Sequence, residues 1–266
     1  MVKAARRKAR AQKSKKRFER VIVIGLGGIW SYLRPILCRT MTYQPKAPKT
    51  MRIVDYDVYS RSNLERQEMF PDDEARLKSQ VHGERIQREF PALAVERVDE
   101  FVTAKNIARV VLSNSIIMSC VDNQPTRKLL AEFVRKNAKR LKNIALISGA
   151  SDDDRGNAHL HLVADGKEVT QGMDEVHPEI MNTKDKNPGD MSCEERARLP
   201  GGGQTAVTNM MSASLMANYF WHLVKGGSKK KIEKFLTSKS EVFYNFNHLA
   251  MDSTSRAKVL VKEKKG

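Results

Sequence analysis

The stretch "VIVIGLGGIW", residues 21 to 30, constrains this chain more than any other. Four apolar β-branched residues, Val21 to Ile24, run into a turn that holds Gly25, Gly27 and Gly28. A buried strand that enters a glycine turn and then a helix presents backbone N–H groups to an anion at the helix N-terminus. Such turns usually carry a third small residue that lets the helix pack close to the sheet. Here Trp30 stands in its place, so the indole packs under the loop, stacks near a base or obstructs the site.

Strand and helix patterns alternate through the first half. "MRIVDYD" (51–57), "LAVERV", "SIIMSCVD" (115–122) and "NIALISGA" read as strands. "WSYLRPILCRTM", "EARLKSQVHGERIQREF" (74–90), "AKNIARVVL" and "QPTRKLLAEFVRKNAKR" read as helices, the first with Pro35 early in it. Leu77, Val81, Ile86 and Phe90 fall on one helical face. This alternation predicts an α/β fold with a doubly wound, mostly parallel sheet and a mixed C-terminal portion.

The second half reads differently. "NAHLHLVA" alternates like a strand with one exposed face, on which His159 and His161 have a structural or exposed role. "SDDDRG" (151–156) reads as an acidic turn. Residues 165–203, rich in Gly, Pro, Asp and Asn, predict a long, partly mobile excursion. A long helix over 204–224, with a core or interface Met cluster, precedes the strand "EVFYNFN". The expected organisation is a basic flexible arm over 1–18, one domain over 19–250 and a basic tail over 251–266.

Charge is uneven: 48 Lys and Arg against 31 Asp and Glu give +17. The first 20 residues hold ten bases and one acid, Glu19. Such a block repels itself and buries little. It is either a solvated tail or an arm that holds RNA, DNA or another polyanion by counterion release. Three cysteines without a CxxC pair argue against a disulfide framework and fit a reducing, cytoplasmic setting. No apolar run is long enough to cross a membrane.

Asp55 follows the second strand, thirty positions past Gly25, where an acid bonds ribose hydroxyls. To that point NAD and ATP are equally served. The segment "DYDVYSRSNLERQEMF" then gathers Asn63, Arg66 and Gln67 in a compact polar turn. Lys78 follows twelve residues after Arg66, and Asp122 ends a buried strand. A nicotinamide has little need for that set. A triphosphate needs cations on its oxygens and a carboxylate for Mg²⁺.

In order and spacing, "GLGGIWS", "DYDVYSRSNLERQ", "LKSQV" and "SCVDNQPTR" resemble the ThiF/MoeB/HesA family, the adenylyltransferase core of ubiquitin-activating enzymes. The resemblance is firm over residues 20–135 and looser at "LISGA" and "MSCEERARLPGGGQT". It implies that Gly25, Gly27 and Gly28 line the phosphates of ATP and that Asp55 bonds the ribose. Asn63, Arg66 and Lys78 would contact phosphate, and Asp122 would bind Mg²⁺. The C-terminal carboxylate of a small ubiquitin-like protein or peptide would attack the α-phosphate, leaving an acyl-adenylate. The implied assembly is a homodimer with the late helix at its interface.

Cys193, beside Arg196 and Arg198, is either the thiol that takes the acyl group or a spare loop cysteine. Cys38 and Cys120 read as core. The chain departs from the family at Trp30, in lacking the CxxC pairs that hold zinc, and in lacking a clear match for the arginine lent between subunits. Arg17 and Arg20 are the nearest candidates. Because the charged residues downstream are intact, Trp30 is expected to repack the helix with nucleotide binding kept. The alternatives are activation of a small-molecule or tRNA-borne carboxylate, and a nucleotide-binding scaffold without turnover.

Overall fold

A computed structural model describes residues 17–191 and 204–258. One nine-stranded sheet organises them, in the order β3-β2-β1-β4-β5-β6-β8-β9 with β7 paired to β6. Its first half is parallel: β1 (Arg20–Ile24), β2 (Thr50–Val54), β3 (Ala94–Val98), β4 (Ser115–Ser119) and β5 (Ile144–Ser151). The second half, β6 (Arg155–Ala164), β7 (Lys167–Glu168), β8 (Glu241–Asn245) and β9 (Ala250–Thr254), is antiparallel.

The β-branched runs are buried on both faces, as the doubly wound pattern requires. Val21 and Val23 of β1 face the cluster made with α1 (Gly28–Tyr43), α2 (Lys78–Glu89) and α8 (Ala206–Val224). Ile22 and Ile24 face the other cluster, made with α3 (Ile107–Val110), α4 (Gln124–Lys136) and α5 (Ala138–Leu141). Phe18, at the end of the expected arm, is core.

Three sequence expectations change. The first helix starts at Gly28, so Pro35 lies in its interior and one N–H of the ladder is lost. Leu33, Leu37, Cys38 and Met41, all fully buried on that helix, offset the loss. β6 has no exposed face: His159 and His161 are fully buried, His161 bonded to Glu168, while Leu160 and Leu162 enter the apolar cluster. Residues 165–191 are not an unstructured excursion. They form β7, α6 (Met173–Val176), α7 (Pro178–Met181) and a 3-10 turn over Pro188–Asp190. The segment is pinned by Lys128 Nζ to the Met181 carbonyl (2.9 Å) and by Arg135 to Asp174 (2.8 Å).

The sheet also runs past residue 250. β9 pairs with β8, and Ala257 bridges Thr170, so the described part of the expected tail is built into the sheet edge. A helix α9 (Lys229–Ser238) connects α8 to β8.

Candidate functional site

β1 is the point where strand order reverses, and the carboxyl ends of β1, β2 and β4 meet beside the glycine turn. In open α/β sheets that crevice is where ligands collect. Gly25 is left-handed (φ +86°), and a Cβ there would lie 2.9 Å from the Cys120 carbonyl carbon, so the turn requires glycine. Asp55 locks the same turn: its carboxylate accepts from the N–H of Leu26 (2.7 Å) and of Asp57 (2.8 Å). Burial raises the Asp55 pKa, opposed by the Lys78 charge and by those N–H bonds.

A cleft of about 250 Å³ opens here, lined by Gly25, Gly27, Gly28, Asp55, Arg66, Lys78 and Asp122. Seven of the predicted residues are thus brought together. Lys78 is buried at the start of α2, its ammonium bonded to Asp57 and 5.7 Å from the Tyr59 ring centroid. Arg66 donates to the Ser62 carbonyl (3.1 Å). Asn63 does not line the cleft. It is buried beneath the turn, where its Oδ1 accepts from Ser60 N–H and its carbonyl accepts from Arg66 and Gln67 N–H. Cys193, with Arg196 and Arg198, lies outside the described residues.

The polar turn is held by groups on the first helix. Glu68 bonds Arg34 through both carboxylate oxygens (2.5 and 2.7 Å), and its N–H donates to Ser31 Oγ (2.8 Å). Trp30 is fully buried and meets His82 edge-on, with ring centroids 5.8 Å apart. It lines neither the cleft nor its mouth, so the substitution is a repacking between α1 and α2.

Asp122 is exposed at the end of β4, with no ion pair to a described residue. Arg127, which is buried, donates to the carbonyls of Val121 (2.8 Å) and Gly149 (3.1 Å), fixing the ends of β4 and β5 together. Beyond Asp122 lies a second cavity of about 880 Å³, which shares Asp122, Asn123, Pro188 and Gln204 with the cleft. Its walls come from the β5–β6 turn (Asp152, Arg155), α6–α7 (His177) and the β8–β9 hairpin (Phe243, Asp252). His177 bonds Glu241 (2.6 Å) and Glu179 (3.0 Å), which raises its pKa.

Gln67, placed by the sequence in the polar turn without a role of its own, lines the cleft beside Gly27. Sequence reasoning left one part of the site out. The larger cavity had no signal, since its walls are contributed by residues from Asp122 to Asp252. Among the described residues no three His, Cys, Asp or Glu side chains are grouped to hold a metal. Nor is any described helix long and apolar enough to cross a membrane.

Comparison with known proteins follows the same lines. The SAMP-activating enzyme E1 of Haloferax volcanii is 31% identical over 148 residues, 55% of this chain and 50% of that protein. The molybdopterin-synthase adenylyltransferase of Escherichia coli is 25% identical over 152 residues, 56% of this chain and 55% of that protein. The chain therefore matches about half the length of these relatives. Among solved structures, E. coli MccB with ATP superimposes with a TM-score of 0.64 at 16% identity, covering 93% of this chain and 66% of that one. MccB in complex with N-formylated MccA gives 0.66 at 19% identity, covering 93% and 67%. These likenesses establish the nine-stranded Rossmann-like fold. The family model described as the ThiF family matches residues 3–261, and the chain belongs to that family.

Proposed function

We propose that this chain adenylates a carboxylate with ATP, the carboxylate being the C-terminus of a small protein or peptide. One observation carries the reading: a cleft of about 250 Å³ beside the glycine turn and a cavity of about 880 Å³ meet at Asp122 and Asn123. ATP in the cleft would present its α-phosphate at that junction, where a chain terminus lying in the cavity arrives. A carboxylate oxygen attacks the α-phosphorus, the bond to the β-phosphate oxygen breaks, and pyrophosphate leaves. The mixed anhydride of carboxylate and AMP remains.

The residues present suit the charges involved. Arg66, Lys78 and the N–H groups of the glycine turn screen two anions that otherwise repel. Asp55 keeps lone pairs for ribose hydroxyls after accepting two backbone bonds. Asn63 acts from below by positioning Arg66 and Gln67. Asp122, without an ion pair among the described residues, offers a hard-oxygen ligand, which fits Mg²⁺ held jointly with phosphate and water. The bound ion would supply charge neutralisation at the phosphates. The names of the relatives agree in kind, since one is a SAMP-activating enzyme E1 and a solved neighbour, MccB, holds N-formylated MccA. Cys193 is the proposed acceptor for any later thioester, and the exposed Val207, Met210 and Trp221 of α8 are the proposed contact with a second copy.

The test is pyrophosphate exchange into ATP, driven by a panel of peptides with free or amidated C-termini. Exchange with free carboxylates alone, reduced roughly a hundredfold by Asp122→Ala, is the expected result. Tight binding of NAD in place of ATP would overturn the reading. ATP binding without exchange for any carboxylate would leave the scaffold alternative in its place.

A further inference from the structure

The antiparallel half of the sheet lays one row of side chains along the larger cavity. Register pairs Ala150 with Asn157, Asn157 with Phe243 and Phe243 with Asp252, so the four side chains share one face of β5, β6, β8 and β9. All four line the cavity. Two positions along, the same face carries His159 and Glu241, both fully buried.

Three groups in the row have bonding capacity left over. Phe243 is 36% exposed, a high value for an aromatic in a strand with a neighbour on each side. Asp252 accepts from the N–H of Ser253 (2.6 Å) and has no ion pair among the described residues. Asn157 is only 8% exposed. Its Nδ2 donates to Glu241 Oε1 (3.0 Å), and because a carboxylate only accepts, the orientation of the amide is set. Oδ1 is then buried with no partner among the described residues. A buried amide oxygen is costly until an N–H reaches it. An aromatic face, a carboxylate and an open carbonyl side by side suit a cation carried on an apolar stem.

The charges nearby leave that demand unmet. Glu241 is matched by His177 (2.6 Å) and by Arg256 (2.7 Å), and Glu179 by His177 (3.0 Å). Of the cations on the cavity wall, Arg127 is engaged by the carbonyls of Val121 and Gly149, and Arg155 by Asp154 (3.3 Å). Lys186 stands two residues before Pro188, at the junction with the cleft. Asp152, exposed in the β5–β6 turn, adds a second carboxylate without an ion pair among the described residues.

The row also lies at a defined reach from the junction at Asp122. Ser119 of β4 is opposite Ser148 of β5, so the chain just beyond it is level with Ala150 and the row. From β4, β8 is three strand spacings away and β9 four, or about 14 to 19 Å. An extended chain covers that distance in about four to six residues. Building on the adenylation reading, we propose that the Asn157–Phe243–Asp252 row receives a Lys or Arg side chain of the protein or peptide partner, about four to six residues before its C-terminal carboxylate. The stem lies on Phe243, while the charged head bonds Asp252 and gives an N–H to Asn157 Oδ1.

The experiment uses the full chain and labelled peptides of about ten residues, long enough to span the cavity. A single Lys, Arg, Gly or Glu is moved through a Gly-Ser background with a free C-terminus. Anisotropy reads binding, and pyrophosphate exchange reads turnover. Lys or Arg in the stated window should bind about fivefold tighter than Gly and lower KM by the same factor, with kcat and the Kd for ATP unchanged. Asp252→Asn, which can keep the Ser253 bond, should erase that preference, and Asp252→Lys should turn it toward Glu. Equal binding of Lys, Gly and Glu at every position, or a preference that survives Asp252→Asn, would overturn the subsite and leave adenylation in place. Absence of binding by every peptide would overturn it as well. A preference in binding that depends on position and on Asp252, without exchange for any peptide, would support the subsite and overturn the adenylation reading.

Discussion

The two halves of the sheet solve the problem of binding in different ways. In the parallel half, the cleft is lined by the glycine turn, by residues from Val54 to Lys78 and by the segments that follow β3 and β4, with Pro188 and Gln204 arriving from further along the chain. The antiparallel half makes a cavity more than three times larger from distant segments. A phosphate is small, invariant and anionic, so one local turn can recognise it. An extended partner segment needs walls that only tertiary assembly supplies. The half proposed to hold ATP is therefore the more local one, and the half proposed to choose the partner is assembled from more distant segments.

The largest expected effect breaks the local half. Gly25→Val forces a β-branched residue to φ +86° against the Cys120 backbone. It should destabilise the protein by roughly 3 kcal/mol and abolish nucleotide binding, read by thermal melting and calorimetry. Glu68→Ala comes next. It leaves Arg34, whose side chain is 5% exposed, with Glu89 alone. A loss of about 2 kcal/mol is expected, with weaker ATP binding because the Arg66–Gln67 turn loses its anchor. An unchanged ATP affinity would show that the turn holds without the Arg34 ion pair, through the Ser31 bond to the backbone.

Ala250→Trp sharpens the comparison from the other side. Ala250 lines the larger cavity and not the cleft. The carboxylate substrate's KM should rise about tenfold, some 1.4 kcal/mol, with the Kd for ATP unchanged. A parallel change in both constants would mean that the two spaces are not separate sites.

The smallest effect concerns the buried polar face of β6. Burial holds His159 down to about 3, and neither ring nitrogen has a hydrogen-bond partner among the described residues. Its unfolded value near 6.5 means that unfolding takes up a proton between those limits, so stability is lost as pH falls from about 6.5. Glu241 adds to this only below about 4.5. Burial pushes its pKa up, but the bonds and charges of His177, His159 and Arg256 outweigh that and hold it at about 2. His177 works in the opposite sense, since its raised value contributes stability that is lost as pH rises. His159→Leu should flatten the melting temperature between pH 6.5 and 4.5, a gain of a few degrees at the lower value. An unchanged pH slope would assign that acid sensitivity elsewhere.

What was legible in the sequence follows the same division. The strands of the parallel half and the residues of the cleft could be read because apolar runs and turn chemistry are contiguous. Asn63 was misplaced because motif spacing gives proximity but not direction: the residue faces its own turn. The start of α1 was missed because Trp30 looked like a first helical residue, whereas Gly27 caps the helix with backbone alone. β6 looked half-exposed because histidines alternate with leucines, and nothing in that alternation says that Glu241, Glu168 and His177 cover the polar side.

One contact joins the halves. The space a Cβ would occupy at Gly28 is filled by the Asn209 side chain, whose Oδ1 accepts from Ser151 Oγ (2.8 Å), beside the larger cavity. The phosphate turn and the cavity wall thus share one rigid strut. If nucleotide occupancy shifts that strut, it must alter affinity in the cavity, and the second ligand must alter nucleotide affinity by the same factor. Asn209→Ala, which removes the strut, is then expected to leave each ligand's affinity indifferent to the other. A wild-type cycle of the four dissociation constants, repeated in that variant, measures the reciprocity directly.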